Sequence, residues 1–221
     1  MNEAAIGFVG VLIGVVATIG KDVLSYWTGR RNAGRYAAVR IVCVLDRYVE
    51  QCVAVVGDDG TMEGRPAGRT DSGEEYYDPQ VDSPEPPVFP DDIDWTSINP
   101  DLMYRVLALP NLALGTERFV VAASEHSFPP DYAEVFHARW EGYADLGLEA
   151  LSITTALRRK FNLPEPSIAI GDPEWDSATF FREKKEQVFR LREAERASNA
   201  EMWDRIGKQD GTTNQPDQPS A

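Results

Sequence analysis

Histidine and cysteine are scarce: the 221 residues hold two of each, His126, His137, Cys43 and Cys52. That excludes a zinc finger or ribbon, which needs four such ligands at short spacings. The cysteines lie nine residues apart in one apolar periodic segment. On a helix that is about 13 Å, well past the ~7 Å between Cα atoms that a disulfide spans. They read as buried free thiols in a reducing compartment. No glycine-rich phosphate loop, nucleophile elbow or internal repeat is present. Positive charge is also short. With 22 basic and 36 acidic groups the chain carries −14, which argues against general nucleic-acid binding, since a polyanion would be repelled.

What the chain does have is a long uncharged opening, "AAIGFVGVLIGVVATIG" at 4–20. Seventeen helical residues span about 25 Å, a little short of a hydrocarbon core of about 30 Å. Lys21 and Asp22 can snorkel, and Tyr26 and Trp27 suit the aromatic belt at a membrane interface. A secretory signal starts with positive charge, but here the first charged side chain is Glu3, and no small-x-small cleavage site is evident. A helix buried in a soluble protein normally keeps a polar stripe. Residues 1–27 therefore read as a transmembrane anchor, ahead of a processed signal or a buried core helix. The flank after the span is basic, with Lys21, Arg30, Arg31, Arg35 and Arg40. The positive-inside rule then places the amino terminus outside and the rest in the cytoplasm, at the plasma (inner) membrane. The same cations can touch anionic lipid heads, at about 1 kcal/mol per well-placed group. Gly10, Gly14 and Thr18 form a small-residue stripe of the kind that lets two spans associate.

Charge is unevenly partitioned. Residues 1–56 hold 6 basic and 4 acidic groups, and residues 57–94 hold 2 basic and 12 acidic. The apolar period of Ala37, Ile41, Leu45, Tyr48, Cys52 and Val55 predicts a juxtamembrane helix over 28–56, with a bend at Gly29 or Gly34. Segment 57–94 contains six of the fifteen prolines and five of the seventeen glycines. It reads as an acidic linker with little apolar surface to offset the entropy of ordering. Its end, "VFPDDIDW", is expected to dock through Val88, Phe89, Ile93 and Trp95.

A helical bundle domain is expected over 95–206. Asn99-Pro100-Asp101 is an N-cap, first-position proline and acid in succession, which starts a helix. Pro110 should kink or restart it. Tyr132 to Phe161 keeps a helical period over about 30 residues, and Asn162 and Pro164 stop it. Asp172-Pro173-Glu174 repeats the starting pattern for a last helix to Ile206 with an apolar seam of Phe181, Val188, Leu191 and Met202. Its middle is heavily charged, as in a coiled-coil arm. Residues 207–221 read as a disordered tail.

Chemistry has one foothold. Glu134 and His137 form an E-x-x-H, half of the pattern that bundle di-iron sites use twice. His126 follows Glu125 directly and cannot supply the second copy. Glu141, Asp145 and Glu149 stand four apart, a stripe expected to face solvent rather than to work as acid and base. The reading is thus an all-α protein, a single transmembrane helix continuing into or followed by a cytoplasmic helical bundle. It is expected to be a non-enzymatic scaffold or interaction module without cofactor or metal. Its expected partners are the membrane, an unidentified protein and further copies of itself, but not nucleic acid. A small pore-former assembling through Gly10, Gly14 and Thr18, and a metal enzyme using Glu134 and His137, are the alternatives.

Overall fold

The computed structural model describes residues 2–125, 127–165 and 175–212, with side chains from 27 to 206 within those bounds. It is mostly helical, with four α-helices among the described residues. They are α1 (Asn2–Gly57), α2 (Pro100–Ser124), α3 (Ala133–Phe161) and α4 (Ser177–Thr212). The rest includes a small antiparallel pair, β1 (Gly68–Arg69) with β2 (Glu75–Tyr76), and a 3-10 turn at Trp95–Ser97.

Helix α3 is the centre, and α1, α2 and α4 all pack on it. All three run antiparallel to it. Gly34 of α1 abuts Phe161 near the end of α3, while Trp140, near the start of α3, donates its indole N–H to the Asp58 carbonyl just past the end of α1 (2.9 Å). On α2, Arg105 holds Glu149 and Thr116 abuts Gly142. On α4, Phe181 lies on Gly147 and Arg192 reaches Glu141. The core is the apolar stripe anticipated on α1, with Ala37, Ile41, Leu45, Cys52 and Val55 fully buried, against Tyr143, Leu146, Ala150, Ile153 and Leu157 of α3. Each Val, Leu or Ile so buried contributes about 1.5–3 kcal/mol.

The helix ends follow local chemistry. The Asn99 side chain accepts from Asp101 N (2.8 Å), as its N-cap position requires. Asn162 closes α3 in the left-handed region (φ 51°, ψ 53°), which asparagine tolerates better than most residues. Helix α1 is continuous through Gly29 and Gly34, the first of the two arrangements expected for the opening and juxtamembrane segments. Three sequence expectations need correction. Helix α2 runs on through Pro110 as one helix rather than restarting there. Cys43 is exposed, and only Cys52 is buried. Helix α4 continues past Ile206 to Thr212, into the expected tail. The Asp172-Pro173-Glu174 signal, His126 and residues 213–221 lie outside the described residues, as do the side chains of Gly10, Gly14, Thr18 and Lys21.

Segment 57–94 does not behave as a separating linker, because it folds back on the helices. The Asp58 carboxylate accepts from Gly60 N (2.9 Å), Gln80 N (2.8 Å) and Val81 N (2.9 Å), and Arg139 of α3 donates to Val81 O. Further along, Ile93 is buried and Phe89 meets Trp95 edge-on at 6.1 Å, as anticipated, whereas Val88 is exposed. Among the residues whose side chains are described, α2 alone is long and apolar enough to cross a membrane by length and composition, and 22% of its most apolar stretch is buried.

Candidate functional site

Two concave regions lie at opposite ends of α3. The first is where α1 leaves the packed body. Residues 27–32 are all exposed, whereas Ala37 and Ala38 are completely buried. The departure is tight. A Cβ on Gly34 would lie 2.6 Å from the Phe161 ring and 3.0 Å from Ser97 O, so only glycine lets α1, α3 and the turn before α2 converge here. Beyond that crossing is a cavity of about 560 Å³, lined among others by Trp27, Arg31, Ile98, Pro100, Lys160 and Phe161. Trp27 is 70% exposed.

The predicted basic residues divide here. Arg31 and Arg35 are exposed, and Arg31 lines the cavity. Arg30 also lines it, but its guanidinium donates to Thr96 O (2.7 Å) and so ties α1 to the turn before α2. Arg40 is engaged elsewhere, in an ion pair with Asp92 (3.2 Å) of the acidic segment and a bond to the Tyr36 hydroxyl (2.7 Å). It is a clamp within the fold rather than a group left for lipid. Lys160, in the last turn of α3, belongs to the same cavity as Arg31.

The second region is a cavity of about 300 Å³ by the start of α3, walled by Tyr77, Tyr132, Phe136, His137, Trp140 and Leu191, with Asp59 and Asp131 beside them. Phe136 and Trp140 are 5.5 Å apart, and Lys184 of α4 stands over the Trp140 ring at 3.9 Å. Burial lowers the Lys184 pKa, and the nearby Asp59 charge opposes that shift. Asp59 itself is lowered by bonds from Thr61 N and Oγ1. His137 is 4% exposed, with Nδ1 lacking a hydrogen-bond partner and Glu195 Oε1 4.0 Å away. Glu134 points to solvent on the exposed side of the same helix turn, and no group of three or more metal-ligating side chains occurs among the described residues.

The acidic stripe has a different use from the solvated face expected of it. Glu149 pairs with Arg105 of α2 (2.8 Å), Asp145 with Lys185 of α4, and Glu141 with Arg192 of α4. Each carboxylate sets the register of a neighbouring helix on α3. Two surfaces remain without cover. On α2, Tyr104, Leu107, Leu112, Leu114, Phe119 and Val121 are exposed, and α4 from Glu193 to Ile206 is exposed at every position. No protein-family model, curated protein or solved structure matches the chain.

Proposed function

We propose that the chain is a single-pass membrane-anchored helical scaffold, with its amino terminus outside and a helical bundle in the cytoplasm presenting surfaces to protein partners. One observation carries this reading. Helix α1 is buried on its inner face from Ala37 onward, yet it leaves the body at residues 27–32 with every side chain exposed, and the uncharged stretch 4–20 belongs to that departing helix. A long uncharged apolar segment is costly in water and stable in lipid. Helix α2 is the poorer candidate for the span. Its partner α3 carries Glu141, Asp145 and Glu149 along the shared side, and taking those charges into hydrocarbon would cost several kcal/mol apiece. The exposed apolar residues of α2 and the exposed length of α4 support the scaffold role, since exposed apolar surface of this kind marks interaction sites.

The test is fractionation of cells expressing the full chain with a carboxyl-terminal tag. The tag should sediment with membranes, resist alkaline carbonate extraction, and become protease-sensitive only when the inner face is opened. Recovery of intact chain in the high-speed supernatant would end the proposal.

A further inference from the structure

We infer that the cavity between Trp27, Arg31, Pro100, Lys160 and Phe161 holds the headgroup of one anionic phospholipid. This rests on the anchored arrangement proposed above and goes beyond non-specific attraction of a basic flank to a charged surface. Depth is the first argument. With Trp27 in the interfacial belt, the four residues from Trp27 to Arg31 advance the helix about 6 Å, against a polar layer of about 5–7 Å on one side of a bilayer. The cavity thus opens at the water-facing edge of that layer, within a long side chain's reach of the lipid phosphates.

Convergence is the second argument. A topology signal needs cations only on the chain next to the span. Here Lys160 comes from the far end of α3 and lines the same cavity as Arg31 of α1, with its ammonium 5.6 Å from the Phe161 ring. Arg35 and Arg159 are exposed nearby in sequence and add to the field. Asp94 is occupied in accepting from Thr96 N and Oγ1, and Asp101 sits in the first turn of α2, where the helix dipole holds it.

Lining chemistry separates a lipid from a free phosphate. A small anion would use the cations but leave the exposed Trp27 indole and Pro100 ring wet. A phospholipid places its phosphodiester on Arg31 and Lys160 and its glycerol and upper acyl carbons on that apolar wall. The volume, about 560 Å³, lies within the range of small-ligand sites, about 300–1,000 Å³.

The test uses the full chain in neutral detergent, titrated with dihexanoyl phosphatidylglycerol, dihexanoyl phosphatidylcholine and glycerol phosphate, with binding followed by calorimetry. Phosphatidylglycerol should saturate one site at least tenfold more tightly than either comparator. R31Q/K160Q should weaken it about 25-fold, at about fivefold for each cation lost, and W27A should weaken it as well. R190Q/R196Q, on exposed positions of α4, should change nothing. Both Arg31 and Lys160 are exposed, so the double variant should keep its circular dichroism. Equal binding of the two lipids, an unaffected R31Q/K160Q, or glycerol phosphate binding as tightly as the anionic lipid would overturn the inference. Flotation with purely zwitterionic vesicles runs alongside. A chain that fails to float overturns the anchor and this inference with it, whereas one that floats but shows no anionic preference overturns this inference alone.

Discussion

Replacing Asp58 with asparagine should unfasten the acidic segment from the helices. The Asp58 side chain is 3% exposed, and its two oxygens accept from three backbone N–H groups, those of Gly60, Gln80 and Val81. Arg139, equally buried, has its guanidinium 3.6 Å from Oδ2. Asparagine offers one acceptor and a new donor. In its better orientation it keeps Gln80 and Val81 but turns an N–H₂ toward Gly60 N–H. Losing one charge-assisted bond costs about 1.5–3 kcal/mol, and leaving a buried charge without its counterion costs about 3–5 kcal/mol. The two penalties overlap, because they involve the same carboxylate, so we expect about 3–5 kcal/mol in all. At about 2–4 °C per kcal/mol for a chain of this size, the melting temperature should fall by about 6–20 °C, followed by circular dichroism at 222 nm. Proteolysis between residues 60 and 80 should quicken in parallel. In D58N/R139M the buried cation is gone too, so the combined loss should be well below the sum of the single losses. A melting temperature within about 2 °C of the parent, or losses that add to within about 0.5 kcal/mol, would refute the account.

Two further outcomes follow from burial and close contact. Native protein at pH 7.5 should take one maleimide, on the exposed Cys43, and a second only after denaturation, counted by mass spectrometry; burial pushes the Cys52 thiol up to about 12. Because the folded thiol holds its proton above the ordinary 9.0, its contribution to stability is complete below pH 9 and is lost as pH rises toward 12. C52A should flatten that alkaline limb of the stability profile. Gly147→Val should unseat α4, since a Cβ there would lie 2.4 Å from the Phe181 ring; overpacking of this kind costs about 1–3 kcal/mol, and hydrogen exchange over 177–195 should rise while the core of α1 stays protected.

The helices were largely legible because their signals are local. Asn99-Pro100-Asp101 starts α2, and the apolar period of α1 marks its buried face. Pro110 misled because a single missing N–H donor need not end a helix held along one side by Val106, Leu109 and Ala113 in the core. The packing of 57–94 was not legible for a physical reason. Its main tie is one buried carboxylate that satisfies backbone donors about 20 residues away, and a single Asp leaves no periodic trace. The acidic stripe on α3 was visible as spacing, but its partners, Arg105, Lys185 and Arg192, are set by tertiary placement. The basic cavity was half legible: Arg30 and Arg31 follow the uncharged opening in the sequence, whereas Lys160 joins them only because α3 runs antiparallel to α1.

That antiparallel arrangement also fixes where the free ends go. Helix α1 departs past Phe161, at the far end of α3, while α4 passes His137 near its start and continues in the same direction, exposed from Glu193 to Ile206. The two departures therefore point away from each other. If α1 holds the lipid end, α4 is carried to the side remote from the membrane by a body held together with interhelical ion pairs. Those pairs are partly exposed and contribute about 1 kcal/mol or less each, so they specify the register of α2 and α4 on α3 more than they stabilise it. Stability comes instead from the buried α1–α3 face. On the proposed reading the outer helices can vary without loosening the tie to the membrane, because the uncharged opening and the core share one uninterrupted helix.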